Sequence, residues 1–338
     1  MNTTINSEEI TNTNKEITNN CSNLPSDTIE NNNEILPYHS NKSAQYGDLV
    51  LIYEGRDTYK FFFLESGKVF QCGFGSFKHN DIHGKTYGTK IWSSSSGNKN
   101  QQPGHIIILY FITNIWDKCL KRMTQILFNN DINLILSMLN IKNSSIIYES
   151  GTGSGCLSVN MAKCLNKGHL YTFEFNLERA KSLKETFKSL GLGEKVTVTH
   201  QDVIEKGFVI NESDLLKPEH VKCDGMFIDL PSPWLIVPFA KKHLKKSGYF
   251  VSFSPCIEQV SMTYKALKEN EFINIRMFES LYRTFNYNKT ISIEVPDLRS
   301  TKRIPGDEII FNKQELLTFN SKSDMRGHTG FLMVAINL

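Results

Sequence analysis

The segment Ile146-Ile147-Tyr148-Glu149-Ser150-Gly151-Thr152-Gly153-Ser154-Gly155 constrains this chain more than any other. A short run rich in β-branched residues reads as a strand. Three alternate glycines follow, and beyond them 157–165 carries the apolar spacing of a helix. Glycine permits tight left-handed turns and lets the backbone approach a bound group closely. The helix start then offers free N–H groups at the positive end of its dipole. Such a junction opens a βαβ unit and so implies a parallel sheet.

The flanking pattern extends that unit. Strands are predicted at 145–148, 169–175, 195–200, 225–230 and 249–254, with helices at 157–165, 177–190, 234–244 and 257–270. A strand pair near 273–282 and 328–336 closes the sheet, and 114–140 has helical spacing. The expected α/β domain, 114–338, is therefore a doubly wound, mostly parallel, Rossmann-like sheet with helices on both faces. Its ligand should sit beyond the carboxyl ends of the strands, at the switch point. Ahead of it, short strands at 48–53, 59–64 and 68–71 predict a small N-terminal β-domain over 45–113, a barrel or meander. Within that region 94–104 reads as an exposed loop. Residues 1–44, with Asn31-Asn32-Asn33, offer too little apolar surface to offset their ordering entropy and are expected to be a disordered tail.

The glycine spacing bears on the ligand. Dinucleotide sites favour G-x-G-x-x-G, which leaves the helix start clear for a pyrophosphate. Here the spacing is G-x-G-x-G, with Glu149 two residues before the first glycine. An acid there suits the cationic amino-acid end of S-adenosylmethionine, which has no phosphate. Glu174, ending the strand Tyr171-Thr172-Phe173-Glu174-Phe175, is placed to accept bonds from ribose hydroxyls. In Gln201-Asp202-Val203, Asp202 is a candidate acceptor for an adenine amino group, and Val203 supplies an apolar contact.

Chemistry is carried by Asp229-Leu230-Pro231-Ser232-Pro233-Trp234. It puts a carboxylate at the mouth of the sheet, followed by a loop that two prolines stiffen. It is similar to the loop with which many methyltransferases treat amino groups on nucleobases. There Asp229 is the candidate catalytic residue, and Pro231, Pro233 and Trp234 are candidate base contacts.

Other chemistries find little support. No G-x-S-x-G elbow occurs, and Cys256 reads as a buried, inert thiol. His79, Asp81 and His83 lack a further partner by spacing, so local hydrogen bonds are expected and no metal. Seven scattered cysteines with no C-x-x-C argue against disulfides or a zinc ribbon and suit a reducing compartment, cytosol or nucleus. No membrane span or secretory signal is expected. A net charge of +3 permits a polyanionic partner without requiring one. Lys241, Lys242, Lys245 and Lys246 are expected on one basic helix face, which fits either solvent or RNA.

Residues 47–92 and 104–338 resemble the tRNA (adenine-58-N1)-methyltransferase family of class I S-adenosylmethionine-dependent enzymes, specifically its eukaryotic catalytic subunits. The resemblance rests on the glycine segment, Gly75-Ser76-Phe77-Lys78-His79-Asn80-Asp81-Ile82-His83-Gly84-Lys85, Thr124-Gln125-Ile126-Leu127, the Asp229 loop, and Ser252-Phe253-Ser254-Pro255-Cys256-Ile257-Glu258-Gln259-Val260. It implies a cofactor pocket of Leu127, Ser154, Gly155, Cys156, Leu157, Glu174, Arg179, Asp202 and Val203, joined by Glu149, Gly151, Gly153 and Asp229. It also implies tRNA as substrate, held in part by the β-domain, a homologous non-catalytic partner in a 2+2 heterotetramer, and a nuclear location. The segments 94–103 and 289–324 and the stretch Tyr110–Asn114 depart from the family pattern. Two other readings stay open: a methyltransferase for another RNA base or a protein carboxylate, and a non-catalytic tRNA-binding scaffold.

Overall fold

The computed structural model describes residues 42–55, 58–94, 103–113, 116–120, 123–210, 221–281, 283, 285–296, 311–321 and 327–338. The expected tail through residue 41 and the loop at 95–102 lie outside these. The end of the expected tail is ordered, however. Ser43 bridges to Thr86, and Ala44 is fully buried, its N–H donating to the Lys85 carbonyl at 2.9 Å.

Strands β1 (Leu49–Gly55), β2 (Thr58–Phe63), β3 (Val69–Cys72) and β4 (Gly75–Lys78), helix α1 (His79–Ile82), and strands β5 (Lys90–Trp92) and β6 (His105–Tyr110) follow in order. They form an antiparallel sheet ordered β2-β1-β6-β5 and a separate β3–β4 hairpin. The β1–β6 pairing is non-local, so the sheet is neither the expected barrel nor a simple meander. Alternation explains its two faces. Val50, Ile52, Ile106 and Ile108 pack with Phe77 and Ile82, while Leu49 and Phe61 face the core of the following layer.

The helical spacing of 114–140 yields two helices, α2 (Trp116–Cys119) and α3 (Asn129–Met138), rather than one. Residues 125–128 between them are irregular. The N–H groups of Met123 and Thr124 donate to the Ser154 hydroxyl at 2.9 and 3.1 Å, a long-range bond that periodicity cannot register.

Strands and helices then alternate as expected: β7 (Ile146–Ser150), α4 (Cys156–Cys164), β8 (His169–Glu174), α5 (Leu177–Ser189), β9 (Val196–His200), α6 (Val203–Lys206) and β10 (Cys223–Ile228). A 3-10 turn at Pro233–Ile236 leads into α7 (Val237–His243), β11 (Leu244–Ser254), α8 (Ile257–Glu269) and β12 (Phe272–Glu279). An unanticipated hairpin, β13 (Phe285–Pro296) with β14 (Phe311–Ser321), fills much of the 289–324 region before β15 (Phe331–Asn337). The central sheet runs β12-β15-β11-β10-β7-β8-β9, with β15 antiparallel to both neighbours. β7 and β8 are buried along their whole length because helices cover both faces. Successive residues therefore enter opposite cores. Ile147, Leu170, Phe227 and Val251 meet α4 and α5 through Leu157, Met161 and Leu183, and Tyr148, Tyr171, Met226 and Phe250 meet α7 and α8 through Val237 and Val260.

The four lysines do not share one helix face. Lys241 and Lys242 lie on α7, but Lys245 and Lys246 open β11, where Lys245 pairs with Asp224 at 2.7 Å. Cys256 is exposed rather than buried, at the N-cap of α8. His79 is buried, accepts the Glu65 N–H on Nδ1 at 3.0 Å and stacks on Phe62; among the described residues no metal-binding cluster occurs.

Candidate active site

From β7 the chain winds towards β8 and β9, and from β10 towards β11, so the ends of β7 and β10 form the switch point. A cavity of about 460 Å³ opens there. The two loops that floor it touch backbone to backbone. Gly151 has φ +90°, and a Cβ on it would lie 2.1 Å from the Asp229 carbonyl oxygen. The Asp229 N–H donates to the Ser150 carbonyl at 2.9 Å, and the Gly151 N–H to that of Phe173 at 3.1 Å. Glycine at 151 thus brings Asp229 against the glycine turn. At the far end of the turn Gly155, φ +77°, caps α4, and a Cβ there would meet Leu183 at 2.9 Å.

Four carboxylates surround the cavity. Glu149 is almost fully buried beneath α4, where it accepts from the Ser158 hydroxyl at 2.6 Å. Burial pushes its carboxyl up to about 7; Ser158 and Thr172 oppose that rise, and Asp229 and Glu174 add to it. Burial likewise pushes Asp229 up to about 6. Glu174 takes three donors on Oε1: Arg179 Nε at 3.1 Å, Arg179 Nη2 at 2.8 Å and the Asn176 N–H at 2.9 Å. Its Oε2 accepts the Gly153 N–H at 3.1 Å and keeps further acceptor capacity. Asp202 caps α6, with Oδ1 accepting from Ile204 and Glu205.

Of the residues singled out from sequence, Leu127, Glu149, Gly151, Gly153, Ser154, Cys156, Leu157, Glu174, Arg179, Asp202, Val203, Asp229 and Pro231 line the cavity. Gly155, Pro233 and Trp234 do not. Gly155 acts on the backbone, Pro233 is buried, and Trp234 is half-buried on the 3-10 turn. Two residues have geometry the sequence did not suggest: Arg179 grips Glu174, and Ser154 Oγ is engaged with residues 123 and 124. Sequence reasoning missed the lining residues Thr152, Phe173, Gln201, Ile204, Phe227 and Leu230, and it gave no pocket role to Thr124, Gln125, Ile126 or Phe175. Phe175 carried a signal, since an aromatic directly after a strand-end acid is a ready stacking surface; it is 68% exposed.

This lining fits S-adenosylmethionine. The volume lies in the range of ordinary small-ligand sites, about 300–1,000 Å³. Buried Glu149 and half-buried Asp229, neither ion-paired among the described residues, suit a positively charged ligand, because their raised affinity for protons reports an uncompensated negative site. The open Oε2 of Glu174 suits a diol, and Leu127, Leu157, Phe175 and Val203 suit a flat apolar body.

Comparison with known proteins adds an independent line. The model of the family described as "tRNA methyltransferase complex GCD14 subunit" matches residues 104–337. The chain is 37% identical over 315 residues to a tRNA (adenine(58)-N(1))-methyltransferase catalytic subunit of Dictyostelium discoideum, covering 87% of this chain and 97% of that one. Its fold is similar to that of a SAM-dependent O-methyltransferase from Thermotoga maritima (TM-score 0.65, 24% identity, 89% and 98% of the two chains). It is also similar to that of the tRNA (m1A58) methyltransferase TrmI from Aquifex aeolicus (TM-score 0.61, 22% identity, 88% and 99%). The two structural likenesses speak to a class I methyltransferase fold; the family match and the relative speak to lineage.

Proposed function

The chain belongs to the tRNA methyltransferase complex GCD14 subunit family, and on that premise we propose that it is the catalytic subunit that methylates N1 of the T-loop adenine, position 58, of tRNA. One observation carries the reading: Asp229 is a half-buried carboxylate backed against the glycine turn at the floor of the cavity, with no ion-pair partner among the described residues. Bound S-adenosylmethionine supplies an electrophilic methyl on a sulfonium, whose departure leaves a neutral thioether.

Adenine N1 has a lone pair and no proton to lose, so the chain need supply no general base. It must orient the base and hold negative charge where the ring becomes cationic. Asp229 does both in this reading, accepting a bond from the exocyclic amino group. Glu174, fixed by Arg179 and the Gly153 N–H, holds the ribose, and Glu149 faces the cationic amino-acid end. Leu230 and Pro231 continue the rim beside Asp229, with Pro233 and Trp234 beyond as contacts for the flipped base.

The proposal extends to assembly. A homologous non-catalytic subunit joins this chain in a 2+2 heterotetramer, and the N-terminal antiparallel sheet helps hold tRNA. The decisive assay incubates the chain, alone and with that subunit, with tRNA and S-adenosylmethionine, then digests the tRNA for nucleoside mass spectrometry. The expected product is 1-methyladenosine at the T-loop position; methylation of another base or of protein would point to the alternative substrates. A scaffold with a vestigial site would give no binding heat with S-adenosylmethionine in calorimetry. Native mass spectrometry of the co-purified complex tests the stoichiometry.

A further inference from the structure

The catalytic loop is anchored at one end only by the features above. Asp229 is tied through Ser150 and Gly151, but the loop then continues as Leu230-Pro231-Ser232-Pro233, where two residues have no N–H to donate. A loop so short of donors depends on other segments to hold its carbonyls. Gln259, half-buried in the first turn of α8, does this for Pro231. Its Nε2 donates to the Pro231 carbonyl oxygen at 2.9 Å. Its Oε1 accepts the Cys256 N–H at 3.2 Å, so the same amide caps α8. The amide can point only one way, because a carbonyl needs the NH₂ end and an N–H needs the oxygen. The helix end of the clamp is braced, with the Thr263 hydroxyl donating to the Gln259 carbonyl at 2.7 Å.

We propose that Gln259 is a positioning residue for methyl transfer, clamping Pro231 so that the loop presents Asp229 and its rim to the substrate base. The inference rests on the catalytic reading above. Gln259 is outside the cavity lining, so it acts through Pro231 and not on the ligand. It ties the loop following β10 to the first turn of α8, the helix that also packs against the 3-10 turn at Pro233–Ile236.

The test exploits the two ends of the amide. Gln259→Glu keeps the acceptor that caps α8, and a carboxylate near a helix start is favourable. It replaces the donor facing Pro231 with an oxygen that repels the carbonyl. Gln259→Ala removes both ends and leaves the carbonyl free to bond water. The full chain, in the assembly active on tRNA, is expected to melt no lower as Gln259→Glu than as wild type. Its kcat should nevertheless fall roughly 10- to 100-fold, the scale of sub-ångström to ångström misplacement, with the Kd for S-adenosylmethionine unchanged. Gln259→Ala should melt lower, yet lose no more kcat than Gln259→Glu. A purely structural residue predicts the opposite ranking, with activity following stability. Wild-type kcat in Gln259→Glu, or a Kd that rises in step with the loss of kcat, overturns the clamp. An inactive wild type would overturn the parent reading and this inference with it.

Discussion

At the residue scale, the site works because one acid is held where an acid is unstable. Burial at 229 favours the protonated form, and the floor of the cavity offers it no cation in exchange. In the proposed mechanism only the ionised form can stabilise a cationic adenine. kcat/KM measured against pH should therefore fall as pH drops through about 6, and a flat profile from pH 5 to 8 would remove Asp229 from that role. The sign for stability is the reverse. The folded carboxyl binds its proton more tightly than the unfolded one, so this group costs the native state stability above about pH 6 and costs nothing below the unfolded value near 3.9. Asp229→Asn removes that cost. It should raise stability at pH 8 by up to about 3 kcal/mol, while methyl transfer falls at least about 10²-fold and S-adenosylmethionine still binds. Denaturant melts and single-turnover assays on the same preparation check both halves. The candidacy of Asp229 was legible from its neighbours in sequence; its poise was not, because burial depends on segments far away along the chain.

At the element scale, the glycine turn does more than face a ligand. Its Ser154 hydroxyl receives the N–H groups of Met123 and Thr124 and lies 3.1 Å from the Thr124 hydroxyl, strapping residues 124–127 over the cavity as a wall. Ser154→Ala leaves both N–H groups without that acceptor, a loss of about 1–3 kcal/mol. The expected result is a Kd for S-adenosylmethionine raised on the order of tenfold, the wall being loosened while α4 stays capped by Gly155. Titration calorimetry would show it, and an unchanged Kd would rule the strap irrelevant to binding. The apolar residues of 114–140 have helical spacing, which predicts helix there. In the structure the N–H groups of Met123 and Thr124 go instead to the Ser154 hydroxyl, long-range bonds invisible to a local pattern.

At the scale of the molecule, Ser43–Leu338 forms one compact unit, and the antiparallel and doubly wound sheets share a core. Trp116 of α2 is the hinge pin of that packing. It is nearly buried, with Phe61 of β2 at 5.1 Å and Phe111 edge-on at 5.3 Å between ring centroids. Trp116→Ala should cost about 3–5 kcal/mol. Because Trp116 joins Phe61 of the antiparallel sheet to the core cluster of the doubly wound one, near-ultraviolet and far-ultraviolet dichroism should lose signal at the same denaturant concentration. Two separated transitions would mean the sheets unfold independently. None of this was visible along the chain, where Phe61 and Trp116 belong to different predicted domains.

The sequence by itself determined the parallel sheet, the strand–glycine–helix junction, the four acids at strand ends and the family to which the chain belongs. The sheet, the junction and the acids follow from local periodicity and from glycine and proline geometry, which act within a few residues; the family follows from the motifs the chain shares with it. Tertiary structure alone decided the β1–β6 pairing, the strap over residues 124–127, the grip of Arg179 on Glu174, the Gln259 clamp and the raised proton affinity of Glu149 and Asp229. Each of these needs partners brought together by folding, and burial is a property of the whole core rather than of any stretch of chain.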